Sequence, residues 1–389
     1  MFFLALGLVL ISLVFLVYLL YYILLYGAKG RMAKYLEGIQ KILETGGDLL
    51  PSISVIISTY EEAKVIRRKL ANITASDYPT EKMEIIVIDD ASKDGTAEIA
   101  ERAFVEFGLT GRVIGNSQRI GLNASLNAAI EAASNNVLCI TDSDVTFEKS
   151  ALRNVVLVLE GMTGVGGVTG NIVPSFDDET HVTRLEESYR SFSNKSMLAE
   201  SFRHSAFPGS GVLTAFKRSA LSNLIPVDYG STDGNISMSI IKGGYRFLYV
   251  PYADVYEPVP KDVGQHRLQK IRRAKRLIQV ILHNTDVLFN KKYGEFGLII
   301  FPLKFAMLVF CPLLISIGLL SLILYVILAQ NIILYTLLAL FLILVAFSLV
   351  KLKRIGSLLS GFVLHQFYLV AGLFSSLRKS TFWKKIERK

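Results

Sequence analysis

The stretch Asn136-Val137-Leu138-Cys139-Ile140-Thr141-Asp142-Ser143-Asp144-Val145 joins a short apolar run, residues 137–140, to two carboxylates one residue apart. A strand buried on both faces reads as such a continuous run. In open α/β sheets, residues just past the carboxyl end of a strand face the ligand crevice. There Asp142 and Asp144 are able to share one hard divalent cation, because Mg²⁺ takes one or two carboxylates and completes its shell with water and phosphate oxygens. Alone, an Asp-x-Asp pair more often marks an ordinary turn. Its neighbours decide between the two.

Outward from this stretch, strand and helix patterns alternate. Residues 53–58 read as a strand, 61–75 as an amphipathic helix and 84–88 as a second strand. Asp94 is placed to cap a helix running to about Phe107; a short strand at 112–115 and a helix at 122–134 lead to the quoted stretch. Repeated units of this kind predict a mainly parallel sheet covered by helices on both faces. Each strand ends in polar or acidic residues: Ser58-Thr59-Tyr60-Glu61-Glu62, then Asp89-Asp90-Ala91-Ser92-Lys93-Asp94, then Arg119 to Asn123, then Asp142-Ser143-Asp144. Singly, each suits a turn or a first helical turn near the positive dipole end. Four such clusters at four successive strand ends converge on one crevice.

Composition sets this domain beside a membrane. The 389 residues are 51% hydrophobic, with mean hydropathy +0.43. Residues 2–26 carry no charge, enough to span a hydrocarbon core, and lack the basic start and small-residue cleavage site of a signal peptide. The boundaries expected are a transmembrane helix at 1–28, a juxtamembrane linker at 29–50, a catalytic domain at 51–262, interfacial amphipathic helices at 263–303 and two further spans at 304–350. Residues 355–377 form an interfacial, re-entrant or fourth transmembrane segment, before a basic tail at 378–389. Basic clusters at Lys29, Arg31 and Lys34, at Lys351, Lys353 and Arg354, and in the tail predict a multi-pass cell-membrane protein with these segments and the catalytic domain cytoplasmic. The net charge of +9 follows largely from these clusters and suits anionic membrane lipids and a phosphorylated substrate. Basic-aromatic interleaving of the nucleic-acid-binding kind is absent from the sequence. Cys139 and Cys311 fall in different environments, which argues against a disulfide.

In order, Ser-Val-Ile-Ile-Ser-Thr-Tyr-Glu-Glu (54–62), Ile-Asp-Asp-Ala-Ser-Lys-Asp-Gly-Thr (88–96) and Asp-Ser-Asp (142–144) resemble the nucleotide-sugar half of the inverting family 2 glycosyltransferases. That group includes the cellulose, chitin and hyaluronan synthases and the dolichol-phosphate mannose synthases. The resemblance implies an α/β GT-A fold over roughly residues 50–275. It also implies a nucleotide-sugar donor and Mn²⁺ or Mg²⁺ as cofactor. Thr59, Tyr60, Glu62 and Asn127 would then line the nucleotide pocket, and Asp90 would accept a hydrogen bond from the base, a role that suits the ring N–H of uracil. Asp142 would face the nucleoside and Asp144 would hold the metal.

The same resemblance extends into the second half. Gly209, Ser210 and Thr232 would border the acceptor. In Ser231-Thr232-Asp233-Gly234-Asn235-Ile236, followed by Gly244-Tyr245, Asp233 would be the catalytic base beside Thr232, which stands where the family usually has an acid. Helix N-cap is the plain alternative for Asp233. Gln269 to Arg273 resembles the family's Gln-x-x-Arg-Trp element, which implies that Gln269, Arg272 and Arg273 bind the nucleotide sugar, with Arg272 placed to clamp a diphosphate bidentately and Arg273 where Trp is usual. The missing Trp weakens any expectation of processive synthesis. Two acceptors stay open: a growing polysaccharide, or a polyisoprenyl-phosphate or other lipid-linked acceptor taking one sugar. The rival from another class is an inactive membrane-anchored nucleotide-binding scaffold; the intact carboxylates oppose it. Sparse charge within the spans opposes a transporter.

Overall fold

The computed structural model describes residues 1–27, 29–47, 50–259, 262–330, 335–336, 340 and 353–376. Eight strands form one sheet: β1 (Ile53–Thr59), β2 (Met83–Asp89), β3 (Gly111–Gly115), β4 (Val137–Asp142), β5 (Thr146–Phe147), β6 (Val165–Ser175), β7 (Thr214–Lys217) and β8 (Arg246–Pro258). Their order is β3-β2-β1-β4-β7-β6-β8-β5. β1 to β4 run parallel, and β7 and β5 are antiparallel to their neighbours. The chain order reverses beside β1, where β4 pairs on its other side, and such switch points are where open sheets bind ligands. Register sets the strand ends level: Thr59 pairs with Asp89 and Ser58 with Asp142.

Helices α3 (Ile66–Thr74), α4 (Thr96–Phe107) and α6 (Ala151–Gly161) pack on one face of the sheet. Helices α5 (Leu122–Ala132), α8 (Thr232–Lys242) and α9 (Val263–His283) contribute to the core on the other face. The apolar strand residues explain both layers: Val55, Ile57, Val87 and Cys139 point into one core, and Ile56, Ile86, Ile88 and Ile140 into the other.

The first helix of the sheet domain starts later than its sequence pattern predicts. The backbone N–H groups of Glu61, Glu62 and Ala63 donate to Ser92 Oγ, Thr96 Oγ1 and Asp94 Oδ2. These bonds hold a strand-end turn in which Glu61 sits at φ 56°, outside the right-handed helical region, so the helix begins at Ile66 rather than at residue 61. Asp94 acts one residue ahead of the expected cap: Gly95 is the N-cap, and Asp94 accepts from Thr96 N and Oγ1.

Outside the sheet domain, α1 (Phe2–Tyr26), amphipathic α2 (Lys29–Thr45), α7 (His181–Arg203), α10 (Phe296–Ala329) and α11 (Lys353–Ser376) complete the described chain. Two helical stretches, Phe2–Leu24 and Phe296–Ala329, are long and apolar enough to cross a membrane. They cross closely: a Cβ on Gly7 would lie 2.9 Å from Gly318 O, a small-residue contact of the kind that lets apolar helices associate in lipid. Wide five-residue turns at Phe296–Ile300 and Ala306–Phe310 precede Pro302 and Pro312, whose missing N–H groups loosen the α-helical ladder there. The second span expected within 304–350 and the basic tail lie largely outside the described residues. Helix α11 packs on α7, α9 and α10, with Gly372 set so tightly against Ala274 that a Cβ would lie 2.8 Å from it.

Candidate active site

One cavity of about 1010 Å³ collects the strand ends, the loop before β7, the start of α8 and one face of α9, and continues between α1, α7, α10 and α11. Of the residues the sequence singles out, Thr59, Tyr60, Glu62, Asp90, Asp142, Asp144, Gly209, Ser210, Thr232, Asp233, Arg272 and Arg273 line it.

Its floor is built by two adjacent aspartates with different tasks. Asp89 accepts from Thr59 Oγ1 (3.0 Å), Ser92 Oγ (2.5 Å) and Ser92 N (2.9 Å), and so stitches the β1 and β2 loops together. Glu61 (φ 56°) and Ala91 (φ 63°) are held there in the left-handed region that non-glycine residues avoid, backbone strain of a kind found at binding sites. Asp90 is buried and organises the loop beyond β3. Its Oδ1 accepts from Ile120 N (2.8 Å), Asn116 Nδ2 (3.0 Å) and Ser125 Oγ (3.2 Å), and its Oδ2 from Gly121 N (2.9 Å). Oδ2 also pairs with Arg119 Nε at 4.0 Å, and the loop carries this arginine over the Tyr60 ring at 3.9 Å.

Asp142 and Asp144 stand at the end of β4. Among the described residues no cluster of three His, Cys, Asp or Glu side chains is arranged to hold a metal. Two carboxylates fronting an open cavity match a hard cation that draws its other ligands from water and phosphate.

Across the cavity, Ser231 is the N-cap of α8, its hydroxyl accepting from Gly234 N at 3.2 Å, so Asp233 is not the cap but sits in the first helical turn. Burial raises the Asp233 pKa above the ordinary carboxylate value, against the lowering effect of Ser231, Gly234 N and the Arg273 charge. Thr232 Oγ1 donates to Asn123 Oδ1 at 2.7 Å. Gly209 permits close approach: a Cβ there would lie 2.8 Å from the Phe247 ring. Ser210 is tied to Thr169 by its N–H (2.9 Å) and its hydroxyl (2.7 Å).

Helix α9 brings its cations to the wall. Arg272 and Arg276 are one turn apart, and each has its pKa lowered to about 10, first by burial and then by the charge of Arg273 and of Arg272 respectively, with Asp142 and Asp233 in turn pulling the other way. Arg273 is spent elsewhere. It pairs with Glu257, which also accepts from Arg190 at 2.6 Å; Arg190 bonds Glu186 at 2.9 Å, and Lys270 reaches Glu186 at 2.5 Å. Burial opposes the Arg273 charge, but Glu257 and Glu186 outweigh it and hold the guanidinium above its ordinary value. This buried network fixes α9 against α7 and β8, and so sets which cations face the cavity.

Two expected pocket residues lie elsewhere. Asn127 is not on the cavity wall: its amide donates to Ile225 O (2.8 Å) and accepts from Ile225 N (3.0 Å), clamping a distant loop. Gln269 is buried on the Glu186–Glu257 side of α9 and lines only a small crevice there. Both sit on helices that do border the cavity, but on the wrong faces.

The far end of the cavity lay beyond motif-based reading. Tyr18 and Phe362 meet edge to face at 5.3 Å, and Met307, Leu308 and Leu369 extend the apolar wall. A buried carboxylate, Glu200, stands behind it. Glu200 accepts from Tyr21 OH and from Phe207 N (3.0 Å), and pairs with Lys304 Nζ at 2.7 Å. It ties α1 and α10 to the backbone that enters the Pro208–Gly211 loop. An ionisable residue in so apolar a segment as Lys304's was the available signal.

Crevice, carboxylates and arginines thus face one cavity at the strand ends of a GT-A-like sheet. Residues 54–225 match the model of glycosyl transferase family 2. The chain is similar to a probable glycosyltransferase, YdaM, of Bacillus subtilis, 25% identical over 340 residues that make up 82% of this chain and 80% of the relative. A poly-beta-1,6-N-acetyl-D-glucosamine synthase of Staphylococcus aureus is 27% identical over 61% of this chain, which spans only 57% of that synthase. Among solved structures, the mannosyltransferase PcManGT of Pyrobaculum calidifontis, in complex with GDP-Man and Mn²⁺, overlays with a TM-score of 0.69 at 26% identity, over 93% of this chain and 99% of that one.

Proposed function

We infer that the protein is an inverting glycosyltransferase of the cytoplasmic membrane face, held by several membrane passes, which moves a sugar from a nucleotide sugar onto an acceptor hydroxyl. The observation that carries this is the meeting of Asp90, Asp142, Asp144 and Asp233 with Arg272 and Arg276 around one cavity. Asp90 and the Arg119–Tyr60 stack receive the nucleoside. Asp142 and Asp144 hold Mn²⁺ or Mg²⁺, which when bound neutralises charge on the departing diphosphate. Arg272 and Arg276 offer planar donors to its oxygens. Asp233 takes the proton of the acceptor hydroxyl. That oxygen attacks the anomeric carbon, and the carbon–oxygen bond to the diphosphate breaks with its electron pair leaving on phosphate. One displacement from the opposite face inverts the anomeric centre.

The apolar continuation of the cavity among α1, α10 and α11 favours a lipid-linked acceptor receiving one sugar. The likeness to the poly-N-acetylglucosamine synthase supports the second reading, polysaccharide extension. Uracil suits Asp90, whereas PcManGT holds GDP-Man, so both donor bases belong in the test. The purified, detergent-solubilised protein is offered UDP- and GDP-sugars with Mn²⁺ or Mg²⁺, with and without lipid extract, and labelled products are sized. Metal-dependent nucleoside-diphosphate release is expected, with one labelled lipid from the first reading and a ladder from the second. Nucleotide binding without release across the donor panel would sink the catalytic reading in favour of a scaffold.

A further inference from the structure

Lys69 is a lysine the chemistry above does not use, and it is 1% exposed. It projects from the sheet-facing side of α3, with Ile66, Leu70 and Ile73, and it does not line the cavity. Its Nζ donates to Thr141 Oγ1 (2.9 Å) and to Val145 O (3.2 Å), and lies 3.5 Å from the centre of the Phe147 ring. Those three directions account for the three donors of an ammonium. Among the described residues no carboxylate stands within ion-pair distance of it.

The two hydrogen-bonded partners bracket the Asp142-Ser143-Asp144 loop: Thr141 is the residue before it and Val145 the residue after. Thr141 passes the contact on, because its hydroxyl lies 2.7 Å from Val212 O, next to the Pro208–Gly211 loop of the acceptor side. Taking an ammonium out of water without a carboxylate partner is costly, and an apolar side chain of similar length would fill the space more cheaply. Burial lowers the Lys69 pKa well below the ordinary value, while Asp142 acts in the opposite sense.

We propose that Lys69 is a positioning residue that pins both stems of the Asp142–Asp144 loop from behind and thereby sets the spacing of its two carboxylates for a divalent cation. This rests on the metal role given above to Asp142 and Asp144. A group behind the ligands acts through their orientation, and loss of such a partner typically weakens metal binding about 10–100-fold.

The test is a Mn²⁺ titration of the full chain with nucleoside diphosphate present, followed by the electron paramagnetic resonance signal of free Mn²⁺, alongside thermal unfolding. Lys69→Met should weaken Mn²⁺ binding about tenfold or more, with a melting temperature equal to or above the wild type. Asn72→Ala is the control. Asn72 grips Phe147 from the next turn of α3 (Phe147 N to Oδ1 2.7 Å, Nδ2 to Phe147 O 3.0 Å) without touching Thr141 or Val145, and its removal should leave Mn²⁺ affinity unchanged. Wild-type Mn²⁺ affinity in a folded Lys69→Met protein overturns the proposal, and so does equal weakening by Asn72→Ala. If Lys69→Met does not fold, Thr141→Val, which cuts the relay and keeps the lysine, decides the matter: unchanged affinity overturns the proposal. Asp144→Asn separates the two levels. Undiminished binding there would remove the metal site itself, whereas lost binding there with wild-type behaviour in Lys69→Met would remove only the role of Lys69.

Discussion

Replacing Asp233 by Asn should move activity and stability in opposite directions. The amide keeps the size of the side chain and can still accept from Gly234 N, so the start of α8 should survive. It cannot take a proton. Loss of a general base costs about 10²–10⁴-fold in rate, which at 1.36 kcal/mol per tenfold corresponds to about 2.7–5.4 kcal/mol on the barrier. Stability runs the other way. Burial raises the Asp233 pKa in the folded state, so the folded protein binds this proton more tightly than the unfolded chain does. Its favourable contribution is therefore present below the unfolded pKa and is lost as pH rises through the folded one; at neutral pH the buried charge is a net cost. Asp233→Asn should accordingly melt at a higher temperature at pH 7, with the difference shrinking in acid. The wild type should also lose turnover at a higher pH than an ordinary aspartate would give, as its base becomes protonated. The assay is initial-rate diphosphate release against pH, paired with thermal unfolding in the same buffers. Near-wild-type turnover in a folded Asp233→Asn protein would refute the assignment, and a lower melting temperature at neutral pH would refute the electrostatic account.

Two other substitutions probe the frame. Glu200→Gln leaves Lys304 without its charge partner in an apolar setting; breaking a buried pair this way should destabilise by about 3–5 kcal/mol, read as a lower melting temperature in detergent, and retention of the wild-type value would show the pair to be idle. Asn127→Ala removes both bonds to the Ile225 backbone; stability should fall by about 1–3 kcal/mol while the donor KM stays constant, and a raised donor KM at unchanged stability would return Asn127 to the nucleotide pocket.

The sheet domain was legible because its strands are short apolar runs that end in chemistry. The runs before Thr59, Asp89 and Asp142 read directly as parallel strands, and register then aligns their ends. Legibility stops where side-chain direction depends on distant packing. Asn127 and Gln269 occupy positions that motif order assigns to a ligand, yet on their helices they turn toward the Ile225 loop and the Glu257 network. Helix α3 begins late because Ser92, Asp94 and Thr96, about 30 residues on, hold residues 61–63 in a turn with Glu61 at φ 56°. Arg276 escaped notice because only the rotation of α9, set by the Arg190 and Arg273 pairs, shows that it follows Arg272 onto the wall. Lys69 reads as a solvated helix position until the burial of its neighbours is known.

The contacts of α1 change how the protein can be divided. Tyr18 and Tyr21 stand on the cavity wall. Tyr21 OH donates to the Glu200 carboxylate 179 residues away, and Tyr18 OH accepts from Gln366 Nε2 at 2.9 Å, 348 residues away. A helix that only tethered a catalytic domain could be exchanged for any other hydrophobic segment. Here such an exchange would remove two side chains from the chamber wall and leave Glu200 without the Tyr21 hydroxyl. Fragments cut after α1 would therefore lack part of the cavity wall, and a replacement helix would have to reproduce two tyrosines as well as a length.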